Sequence, residues 1–194
     1  MSDEQEPLTI SPKPWNKLDA KARRRVEMLI STLTESEAGH QHSTQIIDRA
    51  PKMEKPQNHP LMRFMFNSLA DYVCGTFMGS TAGAQDVFRA VNLGPVADEL
   101  DGHLAKPVGA HTLKTFIEEH RNTTVAHPTF DPKHVLKRVY NPAQLSNPKI
   151  EAQYREAFLS FMNFARIAHL ILRDTYPLAA ASEDRRWKPV DNSP

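Results

Sequence analysis

The chain has 194 residues, enough for one domain with a real core and too few for two of ordinary size. Forty per cent of the residues are apolar and the formal charge is +1 with histidines neutral, so the molecule has no general pull toward nucleic acid or anionic lipid; RNA, if bound, must meet a local patch. The single cysteine, Cys74, excludes an internal disulfide and fits a reducing compartment. The acidic opening MSDEQEPLTI has no apolar core of a secretory signal. No apolar run reaches the roughly 18 residues of a membrane span. A soluble, cytoplasmic protein without membrane partners is therefore expected.

Residues 1–14 are acidic and contain prolines, and they predict a flexible tail. A first helix is predicted from about Asn16, as N-cap, to the late thirties, with Leu18, Ala22, Val26, Leu29 and Leu33 on one stripe. Gly39 is the expected break, followed by a weaker helical piece around Thr44–Ala50. A second helix should start near Pro60, carry Leu61, Met65, Leu69, Tyr72, Val73 and Phe77, and resume through Gln85–Val91 until Gly94-Pro95 ends it. The third runs from about Gly109 to Ala126, with Leu113, Phe116, Ile117, His120 and Thr124 aligned. The fourth, from Pro148 to Tyr176, has the strongest stripe: Tyr154, Ala157, Phe158, Phe161, Ala165, Ala168, Ile171 and Leu172. Pro177 should stop it, leaving residues 179–194 as a second flexible tail. No segment alternates with period two, so no sheet beyond a stray hairpin is expected. The prediction is an all-α, up-and-down bundle of roughly four to six helices over residues 15–178.

One segment carries a chemical pattern: Glu118-Glu-His120-Arg121-Asn122-Thr-Thr-Val-Ala-His127-Pro128. Arg121 lies four residues after Ile117 and so sits beside the apolar stripe, where one helix meets another. The β-branched run at 123–125 weakens the helix, and Pro128 biases His127 away from the α region. A chain that turns near Ala126 can bring the imidazole back toward the guanidinium. Histidine can move a proton at a 2′-hydroxyl or a leaving oxygen near neutral pH. Arginine's planar fork matches the oxygens of a phosphate, and asparagine can orient either group. Glu118 and His120 are candidate supporting residues. Such a set needs no metal if the guanidinium neutralises the charge that develops in the transition state.

These residues resemble the HEPN superfamily, whose ribonuclease members carry an arginine, a polar residue and, a few positions on, a histidine. Here the polar residue is Asn122, and five residues separate Arg121 from His127. The flanking Ala126 and Pro128 are similar to abortive-infection members. The resemblance implies a helical bundle that forms a homodimer, with the motifs of two subunits facing across the two-fold axis. It implies a metal-independent endoribonuclease without cofactor, a role in phage defence or a toxin–antitoxin system, and a cognate antitoxin or defence partner. The position two after the histidine, a tyrosine in some family toxins, is Thr129 here, with Phe130 next. The alternative reading is a non-catalytic HEPN-like helical module that binds RNA or a protein partner, and a third is a helical adaptor with no nucleic-acid role.

Other side chains are weaker candidates. His40 and His42 are spaced to diverge on a helix, and His103 and His111 are scattered, so no metal site is expected. The basic runs Lys21–Arg25 and Arg185–Lys188 could grip an RNA backbone, although a solvated helix face and a tail explain them as simply. Arg166 and Arg173, with His169 between them, could line a phosphate path. No feature points to DNA-specific binding. Cys74 falls in a helix stripe and reads as a small buried hydrophobe.

Overall fold

The computed structural model describes residues 10–49, 71–78, 83–121 and 147–186. Helix dominates them. A 3₁₀ turn at Trp15–Lys17 precedes α1 (Ala20–Arg49). A helical segment, α2, covers 71–77. Next come α3 (Ala84–Ala90), α4 (Gly94–Leu104), a two-residue antiparallel pair of β1 (Pro107–Val108) with β2 (His111–Thr112), and α5 (Leu113–Arg121). The fold closes with α6 (Pro148–Thr175) and α7 (Pro177–Arg186). Among the described residues, no helix is long and apolar enough to cross a membrane.

The long helix α6 is the axis of packing. The Asn147 side chain accepts from Lys149 N at 3.0 Å and caps its start, and Pro148 fits the first turn because it has no N–H to lose there. Its predicted stripe is its inner face: Ala157, Phe161, Ala165, Ala168 and Leu172 are buried, and α1, α4, α5 and α7 all pack against the helix. Phe161 meets Phe77 of α2 edge-on, with ring centroids 5.2 Å apart. Phe116 of α5 lies 4.8 Å from Tyr154, which stacks in turn on Phe158.

Several boundaries differ from the sequence expectation, among them the start of the third helix, which lies at Leu113 and not near Gly109. Asn16 lies inside the 3₁₀ turn, and Asp19 caps α1 instead, accepting from Ala22 N at 2.7 Å. Gly39 does not interrupt α1, since one glycine costs a helix only about 1 kcal/mol relative to alanine. Gly94-Pro95 opens α4 rather than ending α3: Pro95 occupies the first turn, and Val96, Ala97, Leu100 and Leu104 are buried. Pro177 likewise ends α6 and begins α7, whose Ala179, Ala180 and Glu183 are buried against the core, so the tail predicted from 179 is helical to 186. The end of the N-terminal tail is also held. Lys13 N donates to Val91 O at 2.9 Å, and the Tyr176 hydroxyl donates to Lys13 O at 2.9 Å.

The hairpin aims α5. Gly109 has φ of +62°, at the first central position of a two-residue turn, where a Cβ would also press on Ile150 Cδ1 at 3.3 Å. Three residues later Thr112 Oγ1 accepts from Thr115 N at 3.2 Å and caps α5. Leu113 and Ile117 then bury one face, which fixes where Arg121 emerges a turn later.

Candidate functional site

Arg121 is the final residue of α5 within the described chain. Its Nε donates to Asp71 Oδ1 of α2 at 3.1 Å, with the side chains 40% and 54% exposed. The guanidinium is thus anchored through Nε while standing at the surface. Glu118 lies one turn earlier and is half-buried. Its charge, with those of Arg121 and Asp71, reaches Cys74. Cys74 itself is buried among apolar neighbours, and this desolvation pushes its thiol up to about 11, Arg121 opposing and the two carboxylates assisting. The thiol is therefore protonated at physiological pH and acts as a small hydrophobe. Asn122 and His127 lie outside the described residues, as does the side chain of His120. The structure accordingly places Arg121 and Glu118 together beside Asp71, a residue that the sequence gives no means of pairing with them.

A second grouping lines a cleft between α1, α2 and α6. Here His169 is 3% exposed, and its Nδ1 lies 3.2 Å from Glu37 Oε2 while Nε2 lies 3.3 Å from Thr34 Oγ1. A carboxylate can only accept, so Nδ1 carries a proton, and the threonine hydroxyl faces Nε2 on the other side of the ring. Arg166 Nε pairs with the other oxygen, Glu37 Oε1, at 3.1 Å. Tyr72 borders the same space, hydrogen-bonded to Ser36 and Thr76; burial, aided by the Glu37 charge, pushes its phenol up to about 12. The cleft holds about 170 Å³, with Leu33, Phe158, Met162 and Ala165 as its apolar walls. Arg166 and His169 therefore do not form an open phosphate track with Arg173: one is paired at the rim, and the other is buried against Glu37.

Among the other sequence candidates, His103, His111 and Arg23 contact neighbouring groups in the described chain. His103 Nδ1 lies 3.1 Å from Ser160 Oγ, which accepts from Lys106 Nζ at 2.7 Å, and the ring stacks on Phe164. Burial, with the Lys106 charge, lowers its pKa against the opposing pull of Glu99, and the knot ties α4 to α6. His111 sits 3.9 Å from Glu119. Within the basic run at 21–25, Arg23 donates to the carbonyls of Trp15 and Asn16 and lies 5.8 Å from the Trp15 ring centre, so that side chain secures the 3₁₀ turn. The side chains of His40, His42, Arg185 and Arg186, and the whole of Trp187 and Lys188, lie outside the described residues. Among the described residues, no group of three or more His, Cys, Asp or Glu could hold a metal ion. No family model, curated protein or solved structure matches the chain.

Proposed function

We propose that the protein is a metal-independent endoribonuclease of HEPN type that cleaves RNA by attack of the internal 2′-hydroxyl at a composite site in a homodimer. The observation that carries this reading is the anchoring of Arg121. A carboxylate from a separate helix holds its Nε at the end of α5, and the chain passes directly from that guanidinium into Asn122 and on to His127. Exposed ion pairs contribute only about 0.2–1 kcal/mol, so the tether enters this reading through where it holds the guanidinium and not through stability. The helical architecture agrees with the family resemblance.

In this mechanism His127 of one subunit takes the proton from the 2′-hydroxyl, the oxygen attacks the adjacent phosphorus, and the 5′-oxygen leaves with a proton from the His127 of its mate. A 2′,3′-cyclic phosphate and a 5′-hydroxyl remain. Arg121 neutralises the pentacoordinate phosphorane and Asn122 orients it. Two histidines in opposite protonation states give a bell-shaped pH–rate curve. A two-fold axis close to the end of α5 lets one short motif supply both. A role in phage defence or beside an antitoxin belongs to this same proposal.

The test is cleavage of fluorescent single-stranded RNA in EDTA, with identification of the ends. His127→Ala should lose about 10²–10⁴-fold in rate, the range for a general acid–base group. Arg121→Lys should fail nearly as badly as Arg121→Ala, because a point charge cannot replace the fork. DNA should stay intact, since it lacks the nucleophile. RNA left whole by the purified protein, or cleavage unaltered in His127→Ala, would sink the proposal.

A further inference from the structure

We propose that the cleft between α1, α2 and α6 is a pocket for one unpaired nucleobase of the RNA, rimmed by Arg166. The identity of the ligand as RNA rests on the ribonuclease reading; the pocket's preference for a flat, neutral, polar ring rests on the cleft alone.

Size comes first. A cavity near 150 Å³ accommodates a benzene ring, and the cleft holds about 170 Å³. That is space for a single heterocycle and too little for a larger folded ligand. The wall chemistry comes second. Phe158, Leu33, Met162 and Ala165 supply apolar and aromatic faces; of the polar lining groups, Ser36 and Tyr72 are hydrogen-bonded to each other, and Asn163 stands exposed at the edge. Unpaired bases are captured by this combination, with a side-chain face against the ring and an amide or hydroxyl on its edge. Charge comes third. Glu37 is paired with Arg166 and with the Nδ1–H of His169, so the cleft turns no unpaired carboxylate toward a ligand. Arg166, 66% exposed, is part of the lining and can meet the sugar–phosphate of a nucleotide whose base enters the cleft.

Position links the pocket to the proposed chemistry. Tyr72 borders the cleft, and its neighbour in the chain, Asp71, holds Arg121. Successive residues on a helix point about 100° apart. Thus α2 turns one side chain toward the cleft and the adjacent one toward the arginine. If one RNA strand spans both, the base held in the cleft would choose which phosphodiester is presented at Arg121.

The experiment uses the full chain and the four ribonucleoside 5′-monophosphates, with binding followed by saturation-transfer NMR and calorimetry. At least one monophosphate should bind, ribose 5-phosphate should bind at least tenfold more weakly, and Asn163→Trp, which fills the mouth from an exposed position, should weaken binding by at least tenfold. Asn163→Ala, which removes only the edge contact, should narrow the difference among the four bases. Binding of ribose 5-phosphate as tight as that of the nucleotides, no binding by any of the four, or full binding by a folded Asn163→Trp would each overturn the proposal. RNA cleavage plays no part in this readout. Cleavage without monophosphate binding rejects the pocket alone, and binding without cleavage rejects the ribonuclease reading alone.

Discussion

Asp71→Ala separates a positioning role for this carboxylate from a structural one. Asp71 and Arg121 are 54% and 40% exposed, so their ion pair is screened and should contribute only about 0.2–1 kcal/mol to stability. For a chain of this size, about 1 kcal/mol corresponds to roughly 2–4 °C in Tm. The variant should therefore melt within about 4 °C of the parent. Its effect on cleavage should be far larger, because a guanidinium displaced by about 1 Å from a reacting phosphate can cost on the order of 10²-fold. We expect kcat/KM on fluorescent RNA to fall by about 10–10²-fold. Asp71→Asn retains an oxygen that accepts from Arg121 Nε, and it should recover part of the loss. Thermal scanning and initial rates on the same preparations give both numbers. Unchanged cleavage by Asp71→Ala would show that the tether does not serve catalysis. A fall in Tm beyond about 8 °C would show that the pair belongs to the fold.

Glu183→Ala should lower Tm by about 3–12 °C, because the buried carboxylate accepts from Ser31 Oγ at 2.9 Å and hydrogen bonds to charged groups contribute about 1.5–3 kcal/mol; an unchanged Tm would mean that α7 does not lock onto α1. Truncation after residue 181 should be at least as damaging. Tyr176→Phe should cost about 0.5–1.5 kcal/mol and speed hydrogen exchange around residue 13, since the lost hydroxyl donates to Lys13 O; protection equal to the parent would refute the tether. Stability should also fall in alkali. Burial raises Cys74 from 9.0 to about 11 and Tyr72 from 10.0 to about 12, so the folded state holds both protons more tightly than the unfolded state. Their stabilisation is intact below pH 9 and is lost as pH rises from 9 to 11 for the thiol and from 10 to 12 for the phenol. Unfolding titrations across roughly pH 8–12 should show the decline, flattened at its lower end in Cys74→Ala. Rapid reaction of the native thiol with a disulfide reagent near pH ~8 would contradict its burial.

Periodicity reveals faces but cannot reveal partners. The stripe from Ala157 to Leu172 is legible because burying one side of a long helix imposes three- and four-residue steps, and those residues are the core. The same logic puts Arg121 at a helix edge. Its partner, Asp71, is 50 residues away in sequence, and Glu37 and His169 are 132 apart; no local spacing encodes such pairs. The helices that begin at Gly94 and Pro177 escape the sequence for a different reason. Proline ends one helix and fits the first turn of the next, so Pro95 and Pro177 give the same signal for a stop as for a start. The residues beyond each proline decide between the two: Val96, Ala97, Leu100 and Leu104 carry helical spacing, and Ala179, Ala180 and Glu183 repeat it weakly. Glu183 reads as polar tail because its charge gives no hint of burial until Ser31 faces it.

The two candidate sites share α2, and this makes a kinetic prediction that neither makes alone. If the base in the cleft and the phosphate at Arg121 belong to one RNA strand, a nucleotide already in the cleft blocks productive binding without touching Arg121. A monophosphate that binds the cleft should then inhibit cleavage competitively, with an inhibition constant equal to its directly measured Kd. Asn163→Trp should raise both values together. It should raise the KM for RNA more than it lowers kcat, since a pocket remote from the reacting bond contributes binding that ground and transition states share. Asp71→Ala should do the reverse, lowering kcat with little change in the inhibition constant. If the monophosphate binds yet inhibition is non-competitive or absent, the cleft and Arg121 serve different strands, and the adjacency of Asp71 and Tyr72 has no part in presenting the scissile bond.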